Sequence, residues 1–276
     1  MSTLTLKPLS DTVGAEVIGV DKEQLLADEA LADATLEALD QNGVLVFRGL
    51  HLDDATQVAF SKRLGRVEVL GQGEHPEIFL VTLDPKRNKA ANYLRGTFDW
   101  HIDGMTEDVP IMATLLSAHA VATEGGETEF ASTYAAYDDL SAEEKERAES
   151  AKVIHSIEAT QRMLNPDPTP EELAMWRSRP IKEHPVVWTH LSGRKSLVLG
   201  ATTENVVGMD PADGRAYLDD LLAKSTTPER VYRHEWEVGD LVIWDNTGVL
   251  HRALPYDPAS PRDMHRTTLY GKEAIQ

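Results

Sequence analysis

From Ile111 onward the chain is a succession of short apolar or alternating runs, most of them closed by a turn signal. Ile111 to Val121, Thr128 to Phe130, His184 to His190, Ser196 to Leu199, Tyr232 to Trp236, Leu241 to Trp244 and Met264 to Tyr270 all have strand length. Gly125-Gly126, Ser192-Gly193 and Val238-Gly-Asp240 fall between them as turns. Short strands at this spacing, with few helices among them, predict an antiparallel sandwich or barrel. Two helices interrupt the pattern, Tyr134 to Ala151 (with Ser141 and Glu144 as a capping box) and Arg215 to Lys224. Residues 160–182 carry Pro166, Pro168, Pro170 and Pro180 and read as an irregular insertion, a candidate lid, around a short helix near Leu173–Trp176.

The first 110 residues mix the two periodicities. Leu4 to Leu6 and Ala15 to Val20 alternate as strands. Glu29 to Leu39 has helical spacing and ends at Asn42-Gly43, and Gly43-Val-Leu-Val-Phe-Arg-Gly49 is a buried strand bounded by glycines. Asp53-Asp54 opens a helix that Gly65 closes, and Ile78 to Thr82 is a further strand. No linker or repeat divides the chain, so residues 1–276 are expected to form a single domain, α+β with a mainly β core and flanking helices.

The charge balance narrows the partners. Forty-six acidic residues against 27 basic ones give a formal charge of −19, which repels phosphate backbones and makes nucleic acid an unsuitable partner. With no cysteine, any metal must be held by histidine and carboxylate. The N-terminus has no apolar signal core and no run reaches membrane-spanning length, so no membrane association and a cytoplasmic location are expected.

Metal ligation is suggested by Phe98-Asp-Trp-His-Ile-Asp-Gly104. If this stretch is a strand, His101 and Asp103 point to one face, which is two thirds of a 2-His-1-carboxylate triad for non-haem Fe(II). His-x-Asp also occurs by chance. A third ligand is offered by Asp240-Leu-Val-Ile-Trp-Asp-Asn-Thr-Gly-Val-Leu-His251, where His251 opens the return strand of a hairpin. Arg262 and Arg266 follow, and arginine binds carboxylates bidentately. His119, His155, His184, His190, His234 and His265 have no comparable setting and receive no role.

Taken together, His101-x-Asp103, Gly125-Gly-Glu-Thr128, Trp244-Asp-Asn246, His251 and Arg262-Asp-Met-His-Arg266 resemble the TauD/TfdA family of Fe(II)/2-oxoglutarate-dependent dioxygenases. Gly14 to Asp21, Gly43 to Arg48, Phe60 to Gly65 and His184 to Val187 are also similar to family segments, in order, so the resemblance spans nearly the whole chain.

The resemblance implies a double-stranded β-helix, or jelly roll. It implies iron ligation by His101, Asp103 and His251, and 2-oxoglutarate held by Arg262 with Thr128, Arg266 lying nearby. Trp100 would pack in the core. The implied reaction consumes dioxygen and 2-oxoglutarate, releases succinate and carbon dioxide, and hydroxylates a C–H bond of a small, anionic organic substrate. The carboxylate of Asp103 favours hydroxylation over halogenation, since related halogenases have a small residue there. Tyr93, Arg95, Phe98 and Gly104, with Arg266, are the expected substrate contacts. Leu70-Gly-Gln-Gly-Glu stands where taurine-contacting histidines would be, which argues against taurine. A homo-oligomer is compatible with the family. The alternatives are a cupin-like divalent-metal isomerase or hydrolase, which needs no Arg262, and a non-catalytic small-molecule-binding barrel.

Overall fold

The computed structural model describes residues 4–276. The first half builds one edge of a large sheet and its helical cover. Strands β1 (Thr5–Pro8) and β2 (Ala15–Ile18) pair antiparallel, and β2 runs parallel to β3 (Val44–Phe47). Between them lie α1 (Gln24–Ala27) and α2 (Ala30–Asn42), the latter ending at Gly43. Helix α3 (Asp54–Leu64) starts where Asp53 accepts a hydrogen bond from the Thr56 amide. Then come β4 (Phe79–Val81), β5 (Ala113–Ala120) and β6 (Thr128–Ser132).

The expected helix Tyr134–Ala151 is two helices, α4 (Thr133–Asp138) and α5 (Ala142–Ser150). The Ser141–Glu144 capping box starts the second one, and a cap is a helix beginning, so the chain must break just before it. After β7 (Lys152–His155), the insertion expected to be irregular contains two capped helices, α6 (Ile157–Leu164) and α7 (Pro170–Arg177). Pro170 sits at the first position of α7, where a missing N–H costs nothing. The run His184–His190 is split between β8 (Lys182–Pro185) and β9 (Val187–Thr189), which belong to different sheets. The remainder is β10 (Lys195–Leu197), β11 (Thr203–Val206), α8 (Pro211–Ser225), β12 (Val231–His234), β13 (Leu241–Asp245), β14 (Val249–Ala253) and β15 (Asp263–Leu269).

Seven strands form the large sheet in the order β1-β2-β3-β13-β5-β15-β4, and β12-β6-β14 form a smaller one. The large sheet is covered on both faces, which is why β3 and β13 read as unbroken apolar runs. Its outer face carries Leu45, Phe47, Leu115 and Ile243, packed with Leu39, Phe60 and Leu64 of α2 and α3. Its inner face carries Val46, Leu116, Val242 and Met264, packed with Phe130 and Val249 of the small sheet. A third apolar cluster joins β9, β10 and α8 around Trp188. The result is a mixed α/β architecture with two facing sheets. Among the described residues no helix is long and apolar enough to cross a membrane.

The buried histidines of the third cluster carry a stability consequence. Burial, with His184 nearby, pushes His155 down to about 3; burial, with Arg194, pushes His190 down to about 4. Unfolding returns both to the ordinary imidazole range, so below about pH 6.5 the unfolded chain binds protons that the folded chain refuses. Stability is therefore complete above that pH and falls as pH drops. Asp245, raised to about 6 by burial, works in the opposite direction between about pH 6 and 4 and offsets one imidazole. The metal-free protein is expected to lose up to about 1.4 kcal/mol per pH unit for each uncompensated imidazole, read as a lower urea midpoint at pH 5 than at pH 7. An unchanged midpoint would mean that these imidazoles protonate in the folded state.

Candidate active site

The stretch 98–104 is not the strand that sequence spacing suggests. His101 makes a single bridge to β14, its N–H donating to the His251 carbonyl at 3.0 Å and its carbonyl accepting from the His251 N–H at 2.9 Å. The chain then turns at Asp103–Thr106. Gly104 takes φ 83°, and an added Cβ would come within 2.7 Å of the Ile111 nitrogen, so the turn behind Asp103 needs glycine. The turn still brings the Asp103 carboxylate back over the bridge. Its Oδ1 lies 3.7 Å from His101 Nε2 and its Oδ2 3.8 Å from His251 Nε2.

The three ligand atoms of His101, Asp103 and His251 fall within 4.8 Å of one another. The donors are in metal-ready form. His101 Nδ1 is 2.8 Å from the Asp99 carbonyl, which can only accept, so the proton sits on Nδ1 and Nε2 keeps its lone pair for the centre. Burial, and then the neighbouring His101, push His251 down to about 3, leaving it neutral. Burial pushes the Asp103 carboxyl up, but His251, Arg266 and His101 outweigh it and hold Asp103 below the ordinary carboxylate range. Two imidazole nitrogens and a carboxylate suit a divalent non-haem metal.

A polar relay orients the carboxylate. Trp244 Nε1 donates to Asn246 Oδ1 at 3.1 Å, Asn246 Nδ2 donates to Thr114 Oγ1 at 2.8 Å, and Thr114 Oγ1 donates to Asp103 Oδ2 at 3.3 Å. Trp244 and Asn246 of the sequence motif thus act through Thr114, which sequence reading does not single out. Thr247 does not face the metal ligands; it bonds Asp245 and the Tyr134 hydroxyl. Trp100 is buried, stacked beneath the Arg252 guanidinium.

Behind His101 lies Gly200, at φ 118°, where a Cβ would meet the His101 Cα and the Trp100 carbonyl at 2.8 Å. Gly200→Ala is expected to cost more than about 1 kcal/mol of stability, from the positive φ alone. It should also weaken metal binding by displacing His101. Urea unfolding of the metal-free variant and a chelator competition check both, and wild-type values in the two would refute the close approach.

One cavity contains His101 and His251 together with Thr128, Arg262 and Arg266. Arg262 is 3 % exposed. It donates a long hydrogen bond to the Gly126 carbonyl at 3.4 Å, its guanidinium lies over the Tyr256 ring, and among the described residues it has no carboxylate partner. Burial depresses its basicity without neutralising it. A buried, unpaired guanidinium is costly unless an anionic ligand meets it. Thr128 Oγ1 accepts from Trp236 Nε1 at 3.0 Å, which leaves the hydroxyl proton free for such a ligand.

An adjoining cavity shares His101 and Arg266 and adds Asp103, Gly104, Tyr93, Ile102, Met105 and Ile111. Arg266 is therefore common to both cavities. Its Nη1 lies 3.9 Å from Asp103 Oδ2 and its guanidinium covers the Phe79 ring. Ile157 and Thr160 of α6 close the far side, so the insertion lies over the site. Phe98 lines the first cavity, edge-on to Tyr256, and Tyr93, half exposed, stands at the rim. Arg95 is not brought to the triad. It is exposed and lines an outer cleft with Lys89 and Arg179, because the 3-10 turn Tyr93–Phe98 sends Leu94 inward and Arg95 outward. Glu68, which no motif marks, is half-buried with Arg266 and Asp103 as charged neighbours; burial raises its carboxyl and Arg266 opposes this.

Comparison with known proteins identifies relatives along nearly the whole chain. The family described as taurine catabolism dioxygenase TauD, TfdA family matches residues 5–268. An alpha-ketoglutarate-dependent 2,4-dichlorophenoxyacetate dioxygenase of Burkholderia sp. (strain RASC) is 35 % identical over 250 residues, 85 % of this chain and 84 % of the relative. An alpha-ketoglutarate-dependent sulfate ester dioxygenase of Pseudomonas putida is 33 % identical over 99 % of this chain and 91 % of its own. The solved structure of AAD-2 in complex with Mn(II) and N-oxalylglycine superposes with a TM-score of 0.84 at 33 % identity, covering 99 % of this chain and 100 % of that one.

Proposed function

This chain belongs to the TauD/TfdA family of dioxygenases, and from that premise we propose that its two joined cavities oxidise a small organic anion with an apolar body. The enzyme is an Fe(II)- and 2-oxoglutarate-dependent dioxygenase. The observation that carries the residue assignment is the meeting of His101, Asp103 and His251 in one cavity with the buried, unpaired Arg262.

His101, Asp103 and His251 would hold the iron, two imidazole nitrogens and one carboxylate being the donor set that suits a non-haem centre reacting with dioxygen. When bound, the metal and 2-oxoglutarate supply the oxidising power that breaks the C–H bond. The side chains position and shield. Arg262 and Thr128 take the distal carboxylate of 2-oxoglutarate, the guanidinium supplying two parallel donors. The relay through Thr114 fixes the Asp103 carboxylate. Arg266, at the junction of the cavities, receives the anionic group of the substrate, while Ile102, Met105, Ile111 and Ile157 take its apolar part. Tyr93 borders that space, and Phe98 lines the adjoining co-substrate cavity. The α6–α7 insertion acts as a lid that excludes water.

The facing seven- and three-stranded sheets with their shared core support a double-stranded β-helix as the catalytic framework. Strands from both ends of the chain, β1 to β3 with β13 and β15, share the large sheet, which supports one catalytic domain over residues 1–276. A cytoplasmic location fits an enzyme that draws on 2-oxoglutarate.

The test has two arms. Fe(II) and 2-oxoglutarate added without oxygen should give a weak visible charge-transfer band that His251→Ala loses. Under oxygen, succinate release should then be stimulated by aryl- or alkyl-bearing carboxylates or sulfate esters, and by neutral analogues far less. Metal binding without the band would remove 2-oxoglutarate from the site. Equal stimulation by neutral analogues would remove the anion from Arg266.

A further inference from the structure

Strand β15 has a second chemistry on its other face. Arg262, Met264 and Arg266 point toward the cavities and inner core, so Asp263, His265 and Thr267 point toward α3. The pairing of β15 with β5 slips by one residue between Met264↔Ala118 and Asp263↔Ala120, and His119 is left as the extra residue of a bulge. Bulges re-aim side chains. Here the bulged imidazole stacks on His265, with centroids 3.7 Å apart and planes within 15°, so an ion shared by their in-plane lone pairs requires one ring to tilt out of the stack. The first turn of α3 brings Asp54 to the same place, where its carboxylate pairs with His265 Nδ1 at 2.5 Å.

One nitrogen from each imidazole and one Asp54 oxygen lie within 4.8 Å of one another, the same spacing limit that the triad of the active site meets. Two polar atoms in this group are buried and have no hydrogen-bond partner, His119 Nε2 and Asp263 Oδ1. Asp263 Oδ1 stands 3.7 Å from His265 Nε2. If His265 gives Nδ1 to a cation beside Asp54, a small shift lets Asp263 take the proton on the other nitrogen, which is how metal-bound imidazoles are usually oriented. Asp53 adds negative charge nearby. Burial, with His265 beside it, holds His119 below the ordinary imidazole range and so in its ligating form.

We propose that Asp54, His119 and His265 form a second metal site, for a borderline divalent ion such as Zn(II), on the face of β15 opposite the co-substrate arginines. Two nitrogens and one carboxylate oxygen, without sulfur, suit such an ion better than calcium or magnesium. Bound there, the ion ties the bulge of β5, the strand carrying Arg262 and Arg266, and the start of α3 into one unit.

The full-length, metal-free protein is titrated with Zn(II) against a chromophoric chelator. Wild type should take up two equivalents, and the double variant His101→Ala/Asp103→Ala one. Adding His119→Gln to that double variant should leave none. Asp54→Asn in its place serves as the second test should His119→Gln fail to fold. In the double variant Zn(II) should raise the unfolding midpoint by about 5 °C at a hundredfold excess over its dissociation constant, and the His119→Gln derivative should show no rise. One equivalent in wild type and none in the double variant overturns the site. So does a second equivalent that survives both His119→Gln and Asp54→Asn, since that ion would sit on surface histidines such as His51. The active-site band with Fe(II) and 2-oxoglutarate should persist in His119→Gln, so failure of this site is distinguishable from failure of the first.

Discussion

Asp103→Ala should abolish coupled turnover, lowering the rate of succinate release by about a thousandfold or more, since loss of a metal ligand removes several kcal/mol and each 1.36 kcal/mol is tenfold. The reason is geometric. Among the described residues Asp103 is the one carboxylate that faces both His101 and His251, at 3.7 and 3.8 Å. Without it two imidazoles remain, and the protein triad loses its one anionic donor for a dication. Thr114→Val leaves all three ligands but cuts the relay to Asn246, and its effect should be graded, about tenfold to a hundredfold in metal affinity. Metal content after dialysis and succinate release with saturating 2-oxoglutarate separate the two variants. Near wild-type turnover in Asp103→Ala would dismiss this triad as the reaction centre. A Thr114→Val as severe as Asp103→Ala would mean that the threonine does more than orient.

That relay shows where sequence reading stops. Helix starts and stops are written in neighbouring residues, so α2, α3, α8 and the capping box of α5 are legible from local spacing and caps. The doubly covered strands β3 and β13 are legible as unbroken apolar runs. The ligands are legible as residue types in order. Their convergence is not local, however: a bridge to β14 and a glycine turn bring Asp103 over the histidines, where strand alternation was the expected cause. Thr114 has no motif because its role depends on Asn246, which is 132 residues away. Arg95 and Arg266 look equally suitable as anion receptors in the sequence. Only the facing of the 3-10 turn and of β15 separates them, one into an outer cleft and one between the two cavities. Glu68 reaches the neighbourhood of Arg266 through the pairing of its N–H with the Thr268 carbonyl, a contact that no spacing announces.

Arg262 ties function to stability with opposite signs. Truncating a buried group that meets an oppositely charged ligand costs about 2–5 kcal/mol, so Arg262→Ala should raise the KM for 2-oxoglutarate by about thirtyfold to several thousandfold. Arg262→Lys should fall between, because an ammonium keeps the charge and loses the two-pronged geometry. The ligand-free enzyme should respond the other way. Arg262 is buried beside the Gly126 carbonyl and the Tyr256 ring with no carboxylate partner among the described residues, so its charge is a burden until the co-substrate arrives. Arg262→Met keeps much of the volume and removes that charge, and should stabilise the ligand-free protein by about 1–4 kcal/mol. Thermal unfolding with and without 2-oxoglutarate, at fixed metal, reads both effects. Wild type should gain stability with 2-oxoglutarate, while Arg262→Met should start higher and gain nothing. An Arg262→Met that started lower would mean the guanidinium is satisfied within the fold. One that still gained stability with 2-oxoglutarate would move the distal carboxylate to Arg266.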